Sequence, residues 1–282
     1  MSLFKNIENE IKFYIDTKDN VWGVDNPPPI NLPAADWRNY KTTFKPQSFQ
    51  GKDLEICSQS GGCLNDIATT LNWKLETGQL SAAFVNFSKN NGYLDVTNRY
   101  NFSWRFTAIL DGTSINGNTM QNGWKCVQKY GLIPDSMLPW TDEMAAQYPD
   151  EASMDEAYYN PSVITQAMLD IGKQFNAFVA VEWGWIGDGT TSIPLPTLSL
   201  GTQTSCLAIA TPIPTPVSLW NAPQVPFTPN TTIQHCTSLD YVDMTGVAYP
   251  NWITDQYLPQ VKQLESNYPI PVAIAHVINM LK

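Results

Sequence analysis

The sequence predicts an α+β fold built from two unlike lobes, the first mostly helical and the second mostly extended. In the first part of the chain, apolar residues such as Ile67 and Leu71 recur at helical spacing. In the second part, the helical spacing gives way to β-type runs at Phe178–Trp183 and Cys236–Val242. A stretch at about 186–230 separates these two runs and contains eight of the 21 prolines. Prolines at this density indicate loops and edge strands, so this stretch is predicted to be an insertion in the extended lobe.

The helical spacing predicts an N-terminal amphipathic helix, four helices in the first lobe and two near the C-terminus. These predicted helices cover residues 3–16, 63–77, 80–90, 119–130, 163–174, 257–264 and 271–281. Three consecutive prolines after Asp25 predict a stiff linker behind the first helix. We therefore divide the chain into an N-terminal helix and linker over 1–31 and a domain over 32–282.

Composition and charge exclude several classes of function. With 43% hydrophobic residues in 282, the chain can form a sizeable core. Its net charge of −10 argues against nucleic acid or an anionic membrane as partner. No apolar run approaches the ~20 residues of a membrane span, and the first residues lack the apolar region of a secretory signal. These features favour a cytoplasmic or virion-associated protein.

The cysteines and histidines argue against a metal site and point to nucleophilic chemistry instead. The five cysteines contain no closely spaced zinc-type pair, and there are two histidines. We therefore expect no metal or organic cofactor. Cys63 follows Gly61-Gly62 and opens the predicted helix over 63–77. A helix N-terminus stabilises a thiolate, which is the reactive form of a nucleophilic cysteine.

A general base and a group that orients it follow later in the chain. His235 begins the β-type run, and a strand holds an imidazole rigidly, as a general base requires. Asn251 comes sixteen residues later, followed by Trp252. A side-chain amide can fix the tautomer and orientation of an imidazole, and a tryptophan can shield that hydrogen bond from water. His276 lies in an apolar run and is expected to be a packed or surface histidine.

Together these residues, in this order, resemble the papain-like cysteine peptidases. Further segments resemble motifs of that family in the same order: Leu32–Arg38, Phe44–Gln47, Ser60–Cys63, Leu80–Phe84, Asp111–Ile115, Lys129–Leu132 and Leu138–Trp140. The resemblance spans roughly 32–252. Cys63 and His235 are 172 residues apart, more than is usual in the family, and the insertion at about 186–230 accounts for the excess.

The resemblance implies a papain-like two-lobe fold, with a helical lobe and a β-barrel-like lobe, and a Cys-His-Asn mechanism. Cys63 is then the nucleophile, His235 the base and Asn251 the residue that orients His235. Gln47 is expected to supply the oxyanion-hole amide, with Gln50 and Gln59 as the alternatives. The resemblance also implies a structural disulfide for Cys57, although no partner is apparent from the sequence.

Two main kinds of function remain open, and an acyl transferase that uses the same Cys-His pair is a third. The first is an active peptidase or amidase whose substrate is a peptide, a protein or the peptide of peptidoglycan. The second is a papain-fold protein that has lost catalysis and serves as a structural or binding component of an assembly such as a virion. The low content of charged residues, 15%, favours the second function. An assembly partner would then bind through the insertion or the N-terminal helix.

Overall fold

A computed structural model of the protein describes most of the helical part of the chain and the main strands of the sheet. The described residues are 21–22, 35–43, 45–187, 192–194, 197–199, 202, 206–211, 235–245, 248–250, 270 and 272–281. The predicted helices over 3–16 and 257–264, the proline linker, Asn251 and Trp252 lie outside them. Among the described helices, none is long and apolar enough to cross a bilayer.

The described helices confirm that the first part of the chain is mostly helical. They are α1 (Cys57–Gln59), α2 (Asn65–Glu76), α3 (Ala82–Asn90), α4 (Trp104–Leu110), α5 (Met120–Tyr130), α6 (Asp142–Ala145), α7 (Glu151–Tyr158) and α8 (Gln166–Phe178). A π-helical segment, Ser60–Leu64, joins α1 to α2 without a break. We call the continuous run from Cys57 to Glu76 the central helix. Side-chain caps begin several of the others, as where Ser81 accepts a hydrogen bond from the backbone of Phe84.

The described strands form an open six-stranded sheet and a separate hairpin. They are β1 (Val21–Trp22), β2 (Ser48–Phe49), β3 (Lys52–Asp53), β4 (Val179–Ile186), β5 (Leu207–Thr211), β6 (His235–Val242), β7 (Ala248–Pro250) and β8 (Val272–Met280). The sheet order is β1-β4-β8-β5-β6-β7, and β2 pairs with β3. Within these described strands the sheet does not close on itself, so the expected β-barrel-like lobe is not seen.

Two predictions about the second part of the chain are wrong. Residues 272–280 form a strand rather than a helix, and this strand lies between β4 and β5. Its first five residues are all buried, so the apolar run shows no alternation there, and such a run is hard to distinguish from a buried helix. In addition, β5 falls within the predicted insertion at about 186–230 but is a buried inner strand. Two of these prolines, Pro194 and Pro196, precede β5, and the other six follow it, from Pro212 to Pro229. No proline therefore lies within the strand.

A close backbone contact between α5 and α8 fixes the packing of the helical part. Gly131 ends α5 with a φ of 74°, in the left-handed region that favours glycine. A Cβ built on Gly172 of α8 would lie 2.2 Å from the carbonyl oxygen of Tyr130. Only glycine therefore fits at position 172.

We expect Gly172→Ala to lower the free energy of unfolding by about 2–3 kcal/mol, because the added methyl group forces the two helices apart. Urea denaturation followed by circular dichroism measures the change. The neighbouring exposed variant Lys173→Ala is the control and should stay within about 0.5 kcal/mol of the wild type. Equal stabilities of the two variants would contradict this account.

An acidic cluster ties α7 to the segment that leads into the central helix. Glu151 accepts a hydrogen bond from the backbone N–H of Asp53 at 3.1 Å. Asp155 lies nearby with one buried carboxyl oxygen that has no hydrogen-bond partner among the described residues. Burial, with the charges of Glu151 and Asp53, raises the pKa of Asp155 to about 7. Asp155 therefore keeps its proton in the folded protein at a pH where it is ionised in the unfolded chain.

We expect Asp155→Asn to stabilise the protein more at pH 8 than at pH 5, with a difference of about 1–3 kcal/mol. Because the folded pKa is raised, the contribution of Asp155 to stability is complete below its ordinary pKa and is lost as the pH rises through about 7. Asparagine does not ionise and avoids this loss. The measurement is the free energy of unfolding at both pH values. Glu156→Gln, at the next and exposed position, is the control, and the same pH dependence in that variant would contradict the assignment to Asp155.

Candidate active site

The central helix begins at Cys57. The carbonyl oxygen of Ile56 accepts hydrogen bonds from the backbone N–H groups of Gln59 and Ser60, at 3.1 and 2.9 Å, and these close the first turn. The backbone N–H of Asn65 then bonds to the carbonyl of Ser60, which is the wider spacing of a π-helical turn. Cys57 is partly exposed. It therefore combines access to solvent with the positive end of a long helix dipole.

The expectation that Cys63 lies in the first turn of a helix is wrong. Cys63 lies six residues into the central helix and is 0% exposed. A Cβ built on Gly123 would lie 3.3 Å from Cβ and 3.7 Å from Sγ of Cys63, so this side chain packs against α5. Burial, followed by the charge of Asp66, raises the pKa of the Cys63 thiol well above its ordinary value. These properties are typical of an inert core cysteine.

Gly61-Gly62, which suggested a turn, lies within the π-helical segment. The absence of a side chain on Gly62 lets neighbouring elements approach the helix closely. A Cβ built there would lie 3.4 Å from Cγ of Met120 and 3.5 Å from Cβ of Cys236. This glycine therefore serves the packing between the central helix and the sheet.

The start of the central helix meets β6 through two cysteines. The first turn of the helix packs against β6, and a Cβ built on Gly62 would lie 3.5 Å from Cβ of Cys236 and 3.7 Å from the carbonyl oxygen of Cys57. Cys236 is 0% exposed, and burial, followed by an interaction with the Cys57 side chain, raises the pKa of its thiol well above the ordinary value. The expectation of a buried Cys236 is confirmed. His235 is the preceding residue of β6, where its backbone pairs with Thr211 of β5. The structure therefore brings Cys57, and not Cys63, next to the residue that follows His235.

The other histidine, His276, is packed in the core. His276 is 0% exposed and its Nε2 lies 2.8 Å from Oγ1 of Thr70 on the central helix. Its ring packs against Trp124 with a centroid distance of 5.0 Å and an interplanar angle of 35°. Burial lowers the pKa of His276 to about 3. The expectation of a packed histidine is confirmed, and of the two histidines in the chain His235 is left as the candidate base.

Of the three glutamines considered for an oxyanion hole, Gln59 lies in the first turn of the central helix itself, and Gln47 contacts that turn from outside. Nε2 of Gln47 donates to Oγ of Ser60 at 2.8 Å, and Ser60 lies one turn after Cys57. Gln59 is buried and donates instead to a carboxyl oxygen of Asp111 at 2.6 Å. Gln50 is exposed and donates to the carbonyl oxygen of Asp142 at 3.3 Å. The role of Gln47 itself remains a prediction.

A carboxyl group also lies close to Cys57. Glu55 has a φ of 51°, which is uncommon for a residue with a side chain, and its backbone N–H donates to Asp53 at 3.0 Å. Burial, followed by the charges of Asp53 and Cys57, raises the pKa of Glu55 to about 8. Near neutral pH this carboxyl is therefore mostly protonated and places little negative charge beside the thiol.

The sequence analysis placed the start of this helix at Cys63 instead of Cys57 because Gly-Gly was interpreted as a helix boundary. The apolar spacing of the helix continues backwards from Ile67 through Leu64 to Cys57. No proline or side-chain cap interrupts it between these positions. That continuity was the available signal for an earlier helix start.

Comparison with known proteins supports the fold. No family model matches the chain, and no curated protein is similar enough in sequence to count as a relative. Among solved structures, xylellain, a cysteine protease from Xylella fastidiosa, matches with a TM-score of 0.56 and 12% identity over 94% of each chain. Digestive procathepsin L 3 from Tenebrio molitor larval midgut has a TM-score of 0.41 and 14% identity, over 96% of this chain and 74% of its own. At these identities the likeness to xylellain establishes the fold alone: the chain has a mixed α+β, papain-like fold.

Proposed function

We propose that the protein is a cysteine peptidase or amidase with Cys57 as its nucleophile. The observation that carries the proposal is that Cys57 is partly exposed at the N-terminal end of the central helix, and that this end packs against β6, the strand that His235 begins. A partly exposed cysteine at a helix N-terminus has surroundings that favour a thiolate. Cys63 has none of these surroundings, so Cys57 replaces it as the candidate nucleophile.

The proposed reaction proceeds through an acyl-enzyme. The sulfur of Cys57 attacks the carbonyl carbon of a peptide or amide, and the carbonyl oxygen becomes an oxyanion. The amide of Gln47, one turn from Cys57, is the proposed side-chain donor to that oxyanion. His235 accepts the thiol proton of Cys57 and gives it to the leaving amine as the carbon–nitrogen bond breaks. It then activates the water that releases the acyl group, while Asn251 orients its imidazole.

The substrate class follows from this chemistry and from the fold. The solved structure that the chain resembles is named as a cysteine protease. A peptide or protein is therefore the proposed substrate, and the peptide of peptidoglycan presents the same kind of carbonyl. The alternative is a papain-fold protein that has no catalytic activity and forms part of an assembly. The reactivity of the Cys57 thiol distinguishes the peptidase from this alternative.

We expect chloroacetamide at pH 6 to label Cys57 at least about tenfold faster than Cys63, since each unit by which a thiol pKa falls gives tenfold more thiolate. Peptide mapping by mass spectrometry measures both rates in the folded protein. Hydrolysis of casein, as a general protein substrate, should be lost in Cys57→Ala and retained in Cys63→Ala. Circular dichroism establishes that both variants are folded. Slow labelling of both cysteines would favour the non-catalytic alternative, and fast labelling of Cys63 would restore it as the nucleophile.

We expect Asn251→Ala to slow the labelling of Cys57 at pH 6 by about tenfold, a part of the roughly 10²–10⁴-fold that a positioned base contributes. The reason is that His235 loses the partner that orients it and supports its charged form. The matched control is Asn279→Ala, an exposed asparagine on β8 that bonds to Glu182. If Asn251→Ala leaves the labelling rate and the titration of His235 unchanged, Asn251 has no part in the mechanism.

A further inference from the structure

A cavity that Cys57 does not line lies between α4, the end of α7 and the segment that leads into the central helix. Its volume is about 90 Å³, several times the space that a single buried water needs. Three apolar side chains of the leading segment line it, and these are Phe49, Leu54 and Ile56. Charged residues and aromatic rings complete the lining, so the cavity is suited to a ligand with both a charged and an apolar part.

The charged residues that line this cavity are two cations and one carboxylate. Nζ of Lys45 lies 2.6 Å from a carboxyl oxygen of Asp135 and 4.7 Å from the centroid of the Trp104 ring. The lysine and the aspartate are both partly exposed, whereas Arg105 is 6% exposed. Lys45 and Asp135 therefore neutralise each other at the open end of the cavity. The guanidinium of Arg105 lies deeper and leaves the lining with one net positive charge.

The guanidinium of Arg105 is fixed by backbone carbonyls and has no acidic partner. Nε donates to the carbonyl oxygen of Tyr158 at 2.8 Å, and Nη2 donates to that of Ala157 at 2.6 Å. Nη1 has no hydrogen bond to the described residues, and none of their carboxylates forms an ion pair with Arg105. A buried charge is costly unless it is paired. The fixed and unpaired guanidinium therefore favours the binding of an anion.

A second unsatisfied donor belongs to the same cavity lining. The indole N–H of Trp140 is buried and has no hydrogen-bond partner among the described residues. The Trp140 ring packs edge-on against Tyr158 with a centroid distance of 5.2 Å, and its centroid lies 4.7 Å from Cζ of Arg105. Buried donors in native proteins are nearly always paired. An acceptor atom that binds in the cavity would supply the partner that the described part of the chain does not.

We propose that this cavity binds a small organic carboxylate, with Arg105 as donor to its oxygens and with Leu54 and Ile56 against its carbon atoms. The proposal does not depend on the proposed role of Cys57. A monoanion matches the single net positive charge of the lining, and a planar carboxylate matches the planar guanidinium. Carboxylates occur both in free acids and at the C-termini of peptides. A cavity of about 90 Å³ favours a free acid of a few carbon atoms.

The test uses isovalerate, a short branched acid, and its neutral amide, isovaleramide, on the full chain. The chain has ten tryptophans, so its ¹H–¹⁵N spectrum contains ten indole signals. At pH 7 we expect isovalerate to shift the Trp140 signal saturably, with a Kd of about 1 mM or tighter. Isovaleramide should bind at least about tenfold more weakly, because it cannot form the stronger, charge-assisted hydrogen bonds. Trp140→Phe identifies the signal by its loss, and nuclear Overhauser contacts to the Tyr158 ring identify it if that variant does not fold.

Arg105→Lys tests the role of the guanidinium. Lysine keeps the charge but loses the planar fork, so we expect the Kd for isovalerate to rise at least about tenfold. Arg99→Lys is the matched control, because Arg99 pairs with Glu76 outside the cavity, and its Kd should equal that of the wild type. Circular dichroism establishes that both variants are folded. If Arg105→Lys does not fold, the comparison of acid and amide in the wild type decides whether the site requires a negative charge.

Several outcomes would overturn the proposal. One is no shift of the Trp140 signal at about 50 mM isovalerate, and another is equal affinity for the acid and the amide. Binding of inorganic phosphate as tight as that of isovalerate would show a general anion site without a role for the apolar wall. Tighter binding of N-acetylleucine than of isovalerate would assign the cavity to a peptide C-terminus instead of a free acid. An unchanged Kd in folded Arg105→Lys would remove the guanidinium from the site.

Discussion

The burial of a polar helix is the constraint on which the rest of the structure depends. Eight polar residues on the central helix are buried: Ser58, Gln59, Ser60, Asn65, Asp66, Thr69, Thr70 and Asn72. A buried polar group is costly unless it has a hydrogen-bond partner. Each neighbouring element that supplies such a partner is thereby held in a definite position relative to the helix.

These partners come from both parts of the chain. Gln59 bonds to Asp111 behind α4, and Asn72 accepts from the backbone of Tyr100 at 2.8 Å. Thr70 reaches His276 on β8, where the imidazole lies against Trp124 of α5. The central helix therefore ties the helical part of the chain to the sheet along its length.

The sequence was sufficient to predict the fold class, because the apolar spacing and the ordered motifs are spread over many residues and tolerate local errors. α5, for example, was predicted at 119–130 and is found at Met120–Tyr130. Short elements and boundaries were harder. β8 was mistaken for a helix because the burial of its first five residues removes the alternation that identifies a strand.

The candidate site was predicted only in part, for a different physical reason. A reactive cysteine is defined by what surrounds it, and the sequence around Cys63 contains the expected residue types. The burial of Cys63 is decided by its packing against Gly123, which is sixty residues away in the chain. The same holds for the contact between Cys57 and Cys236, which are separated by more than half of the chain. Such contacts are tertiary, and local motifs do not specify them.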